Sequence, residues 1–159
     1  MAGVLLPSYF QKQINMQHEI ITEIIIHAPA DKVYRLLTNL SEYSRWNPFI
    51  IESSGEAKAG KRLKHVMKNN DSTITFRPIV VRAEEDRCFE WIGHLFLKGI
   101  FDGHHYFHIR PTGTGSVNLI HGERFSGLFS SFILKKIGAQ TRQNFIAMNT
   151  ALKSEAEKQ

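Results

Sequence analysis

The chain has a single cysteine in 159 residues. Cys88 alone excludes an internal disulfide, and one sulfur makes no thiolate metal cluster. It lies in the strand-like run RCFEWIG with nothing beside it that would activate a thiol, so a structural role is expected. Five prolines and eleven glycines exclude a collagen-like or low-complexity chain. No apolar run approaches the roughly 18 residues of a spanning helix. The start, MAGVLLPSYFQKQ, has one short apolar run, no early basic residue and a proline at Pro7, and does not read as a signal peptide. A soluble, cytoplasmic domain is the expectation. A dense basic run is also missing: the 20 Lys and Arg residues are scattered, and the net charge is only +5. With no RNA-binding aromatic signature, nucleic acid is excluded as a partner, while weak contact with an anionic membrane surface stays open.

What is present is globular: 42% hydrophobic and 22% charged residues, at a length that suits one core. Eleven phenylalanines suggest an aromatic-lined interior. From Gln17 to His27 an isoleucine-rich run reads as a strand. Pro29 and Asp31 then open a short helix with Val33, Leu36 and Leu37 as its stripe. A second short helix, from about Ser41 to Arg45, ends at Trp46-Asn47-Pro48, where the asparagine is expected to bond backbone at the turn.

After Pro48 the period becomes two. FIIESS, RLKHVMK, STITFRPIVV, RCFEWIG, GHHYFHIR and SVNLIHGERF alternate with turn signals and read as six antiparallel strands, seven with the first. The connection HLFLKGIF, His94 to Phe101, is apolar for a loop and reads as a flap over a pocket mouth or a membrane-touching lip. From about Leu128 to Glu157 apolar residues recur at helical spacing. A helix this long needs a large partner, and the sheet is the one available. The expected fold is α+β: a seven-stranded antiparallel sheet curled around a long C-terminal helix, with two short helices between strands one and two and a hollow between sheet and helix.

The stretch VNLIHGERFSG carries the chemistry. Alternation puts Val117, Leu119, His121, Glu123 and Phe125 on one, largely apolar face. A histidine and a carboxylate there need partners, since burying an unpaired polar group costs roughly 2 to 7 kcal/mol. If PTGTG is the turn of a hairpin, Ile109 faces Val117, Phe107 faces Leu119, His105 faces His121 and Gly103 faces Glu123. His105, His121 and Glu123 then form a polar cluster at the end of an apolar floor. Such a cluster can line a wet rim, orient a ligand's carbonyl or hydroxyl, or move protons. The ligand types would suit zinc or iron, but no close HxH or HExxH spacing supports a metal. His65 is expected inward; His18, His27, His104 and His108 outward. His65, Phe76, Trp91, Phe107, Leu119 and Phe125 from the sheet, and Phe129, Phe132, Ile133 and Phe145 from the long helix, join the cluster as candidate lining. Asn149 is placed to bring a polar atom inside.

The order of elements, together with IIIHAPADKVYRLLTNLSEYSRWNPFI, RPIVVRAEEDRCFEWIG, FDGHHYFHIRPTGTG and HGERFSGLF followed by TRQNFIAMNTALK, resembles the polyketide cyclase/dehydrase and lipid-transport group. This group belongs to the START-like (SRPBCC) superfamily, with the helix-grip fold of the major birch pollen allergen. The resemblance covers one domain, 17–158, after an N-terminal extension, 1–16. It implies a hydrophobic cavity of the kind that takes lipids, sterols, polyketides or plant hormones, and no cofactor. Catalytic residues are not shared across the superfamily, so none carries over. Three functions stay open. The first is a binding or carrier domain for a small, largely apolar molecule. The second is a cyclase- or dehydratase-type enzyme using His105, His121 and Glu123, and the third is a protein-interaction or co-chaperone-like module. Oligomeric state is not legible in the sequence.

Overall fold

The computed structural model describes residues 18–69, 72–95 and 97–159; the N-terminal extension lies outside them. Isoleucine, stiff at χ1 and suited to a pleated surface, dominates the first strand, β1 (His18–Ile26). Thr22 and Ile26 are buried on its inner face, and Ile21 and Ile25 are exposed on the other. Pro29 precedes helix α1 (Ala30–Thr38), where Asp31 complements the positive helix start and Val33 and Leu37 are the buried stripe. A 3-10 turn (Leu40–Glu42) leads to α2 (Tyr43–Trp46). Pro48 forces Asn47 out of helical space, to ψ 116°. As expected, the Asn47 side chain then bonds backbone, accepting the N–H groups of Phe49 and Ile50 at 2.9 and 2.8 Å.

Six strands were expected next and seven follow: β2 (Ile50–Ser54), β3 (Lys64–Asn69), β4 (Ser72–Phe76), β5 (Ile79–Glu84), β6 (Cys88–Leu95), β7 (Phe101–Gly113) and β8 (Ser116–Ser126). The run STITFRPIVV is two strands because Pro78 offers no N–H to a ladder. β1, β8, β7, β6 and β5 form one antiparallel sheet in that order, and β2, β3 and β4 form a second. The chain at Pro78 ties them together: Ile79 bridges to Arg62, and Pro78 O accepts the Leu63 N–H at 2.8 Å.

Helix α3 (Ser130–Ala156) crosses the inner face and is about 40 Å long. Phe145, Met148, Asn149, Leu152 and Ala156 are buried at helical spacing; before them only Ser130 is. The helix therefore packs through its C-terminal half. Polar bonds to edge strand β1 run alongside, with Arg142 Nη1 donating to Ile21 O at 2.7 Å and Lys153 Nζ to Ile25 O at 2.6 Å. Phe89, Phe107 and Leu119 from the sheet meet Leu37, Tyr43, Met148 and Leu152 in one core. Among the described residues no helix is long and apolar enough to cross a membrane.

Candidate functional site

The β7–β8 hairpin is tighter than expected. β7 runs on through Pro111 to Gly113, which pairs with Ser116, and the ladder shifts between Pro111 and Gly113. Partners therefore move by two residues. His105 faces Glu123, Phe107 faces His121, Gly103 faces Phe125, Ile109 faces Leu119 and Pro111 faces Val117. An even shift leaves every side chain on its own face, so the three polar residues still converge. Across the sheet they lie in two neighbouring rows: Ile20–Glu123–His105–Trp91–Val80 and Thr22–His121–Phe107–Phe89.

His105 and His121 are buried, and Glu123 keeps 15% of its side chain accessible. Hydrogen bonds fix where the protons sit. His121 Nδ1 is 2.7 Å from Asn149 Oδ1, which can only accept, so Nδ1 carries the proton. Asn149 is fixed in turn: its Nδ2 donates to Thr22 Oγ1 at 2.9 Å, leaving the hydroxyl proton for His121 O at 3.0 Å. Turned over, the amide would set two acceptors against that one proton. His121 Nε2 is then a lone pair, and His105 Nε2, 2.8 Å away, must donate to it. That leaves His105 Nδ1 as an acceptor, 3.5 Å from Glu123 Oε2. The separation exceeds a full hydrogen bond, but an ionised oxygen there would oppose a lone pair, and the neutral acid would not.

Burial acts the same way on every member. It pushes Glu123 up to about 8, against the weaker opposing charge of His104. It pushes His105 down to about 3, helped by His104, and holds His121 well below its ordinary range. The site is a directional chain of neutral groups from Glu123 to Thr22. Gly103 makes room for it, since a β-carbon there would stand 2.1 Å from Glu123 Oε1. Gly93, its cross-strand partner, lies under the Phe76 ring in the same way.

Aromatic rings pack closely on the two histidines of this cluster. The His121 ring stacks on Phe145 at 4.2 Å and packs on Phe107 at 4.3 Å, while Trp91 stacks on His105 at 4.5 Å. Aromatic contacts of this kind are favourable beyond the area they bury. A groove of about 390 Å³ lies between the start of β1 and α3, lined by Ile20, Ile21, Leu134, Gly138 and Arg142 among others. One of its lining residues, Ile20, is the cross-strand partner of Glu123. A second hollow, about 360 Å³, lies between α1, α2 and the end of α3.

The other candidates divide. His65 is buried as expected, with Nδ1 2.9 Å from Ser53 Oγ, and burial holds it down at about 3. Trp91, Phe107, Leu119, Phe125 and Phe145 are buried, and Phe76 and Ile133 are half-buried. Phe129 and Phe132 do not face the sheet; they are exposed, being about 140 to 160° around the helix from the buried Phe145. His104 and His108 are on the outer face as expected but half-covered, donating to Glu90 at 2.8 and 3.0 Å. Burial would raise Glu90, but the bonds from His108 and His104 outweigh it and hold the carboxyl below its ordinary value. His94 lies within β6, one residue before its end, rather than opening a loop, and pairs with Asp102 at 2.7 Å. Sequence reasoning missed Thr22 and Gly103. The available signals were a lone hydroxyl in the inner row of an isoleucine strand and a glycine beside the histidine pair. Among the described residues no three His, Cys, Asp or Glu side chains form a group that could hold a metal ion.

Residues 17–157 match the family model described as polyketide cyclase / dehydrase and lipid transport, and the chain belongs to that family. Its fold is START-like. The aromatase/cyclase ZhuI from Streptomyces sp. R1128 superposes with a TM-score of 0.73 at 15% identity, over 89% of this chain and 94% of that one. A START superfamily protein from Mycobacterium smegmatis gives 0.69 at 18%, over 88% and 97%. The di-domain aromatase/cyclase BexL of the BE-7585A biosynthetic pathway gives 0.72 at 12%, over 89% of this chain and 48% of that one, so this chain spans about half its length. No curated protein matches the chain by sequence.

Proposed function

We propose that this domain binds a small, largely apolar molecule whose apolar body lies in the groove between β1 and α3 and whose polar end meets Glu123. The observation that carries the reading is the juxtaposition of Ile20, on the groove wall, with Glu123, the one accessible end of a buried polar chain. The single proton of a neutral Glu123 serves the His105 lone pair, so the oxygen left for the ligand accepts, and the matching ligand group is a donor such as a hydroxyl. Membership of a ligand-binding family supports the reading without naming the ligand.

The test is extraction and mass spectrometry of what copurifies with the protein, followed by binding of the extracted compound. Glu123→Ala should weaken binding at least tenfold and Glu123→Gln, which keeps an acceptor oxygen, much less. Equal binding by all three forms would remove Glu123 from the site.

One observation favours a second reading, acid/base catalysis of the cyclase or dehydratase kind. A carboxyl that is neutral near pH 7 stands beside the His105 lone pair, as a proton donor with a base at hand would. Turnover of the bound compound, abolished in Glu123→Gln with binding retained, would establish an enzyme.

A further inference from the structure

Two segments distant in sequence meet at one end of the molecule. The β6–β7 turn and the start of α3 are joined by backbone bonds, Leu128 N–H to Gly99 O at 2.9 Å and Phe129 N–H to Ile100 O at 3.1 Å. Four large apolar side chains stand out from this junction: Leu97 is 69% exposed, Leu128 81%, Phe129 50% and Phe132 60%. Single exposed leucines are ordinary, but a cluster of four marks a surface that meets something.

Its charges say what. Lys98 lies in the turn, and Lys135 and Lys136 follow on the helix, with the Lys136 ammonium 4.7 Å above the Phe132 ring. From Arg124 to Ser154 the sequence has no Asp or Glu. The acid nearest the turn, Asp102, is occupied by His94 and the Gly99 N–H. Among the described residues Lys98, Lys135 and Lys136 pair with no carboxylate.

We propose that this tip, formed by Leu97, Leu128, Phe129 and Phe132 with Lys98, Lys135 and Lys136, docks on an anionic lipid bilayer. Leucine and phenylalanine enter the interface between headgroups and acyl chains, and lysines at the same level meet lipid phosphates. Because the patch is cationic as well as apolar, it matches a surface that is both negative and greasy. The inference stands apart from the ligand site and does not need it.

The experiment is vesicle flotation of the full chain with phosphatidylcholine vesicles, alone or containing phosphatidylglycerol. Binding is expected to the second kind, weakening as salt is added. Lys135→Glu with Lys136→Glu should lower the partition coefficient by at least about twentyfold, from roughly fivefold per lysine charge. Phe129→Ser with Phe132→Ser should abolish the salt-resistant remainder. All four positions are exposed, so thermal melting should confirm unchanged folding. Equal binding to both vesicle types, no binding to either, or variants that bind like the parent would overturn the proposal. So would a dimer by light scattering that Phe132→Ser dissolves, since a second copy would then cover the patch.

Discussion

Glu123 occupies the place of a side chain on Gly103: a β-carbon at that position would stand 2.1 Å from Oε1. The neighbour that must give way is the end of a flexible side chain, so Gly103→Ala should fold, with a loss of about 1 to 3 kcal/mol for the crowding. Driven towards solvent, the Glu123 carboxyl should titrate lower, moving from about 8 towards its ordinary 4.5. Carboxyl carbon NMR across pH reads the shift, and an unchanged midpoint would refute the displacement.

The same chain sets how stability varies with pH. Glu123 binds its proton more tightly folded than unfolded, so its contribution is complete below about 4.5 and is lost as pH rises through about 8. His65 and His105 bind theirs less tightly folded, at about 3 against 6.5, so their contribution is complete above 6.5 and is lost as pH falls. His121 acts in the same sense. Denaturant melts should give maximal stability near neutrality. Glu123→Gln should flatten the alkaline limb, whose slope approaches 1.4 kcal/mol per pH unit for one proton. A variant with the parent's alkaline slope would exclude Glu123 as its source.

Proton positions are directly observable. Nitrogen NMR should find His121 as the Nδ1–H tautomer and His105 as the Nε2–H tautomer, both neutral at pH 6. Asn149→Leu removes the acceptor that holds His121, strands a buried N–H and should cost about 1 to 3 kcal/mol. Opposite tautomers in the parent protein would reverse the direction of the chain.

Two phenylalanines should separate core from surface. Phe107→Ala empties a fully buried position and should cost about 3 to 5 kcal/mol. Phe132→Ser should stay within about 0.5 kcal/mol. Chemical denaturation of the two variants makes the comparison, and similar losses would mean that α3 packs at its start as it does at its end.

Alternation alone brought His105, His121 and Glu123 to one face, because a period of two survives any even register error. It could not set who faces whom, since that depended on a one-residue ladder shift at Pro111 and a turn three residues tighter than PTGTG suggested, a net move of two. Helical spacing, counted out, puts Phe129 and Phe132 about 140 to 160° around the helix from Phe145, so grouping the three as sheet-facing overlooked the period itself. A period does not report how closely rings approach. The cluster was legible as residues, while the packing of Phe145, Phe107 and Trp91 on it was not. The outer Glu90 with His104 and His108 escaped for a related reason: a face can point outward and still cover a carboxylate.

The bonds from Arg142 and Lys153 to the carbonyls of Ile21 and Ile25 reach beyond holding a helix. Those carbonyls belong to the margin of the sheet, where another chain could otherwise add a strand. Capped by two cations, that margin offers an incoming backbone fewer acceptors and a repulsive charge. Protection from strand-wise polymerisation thus resides in a helix rather than in β1 itself, and a variant lacking both cations would be the form to watch for fibrils.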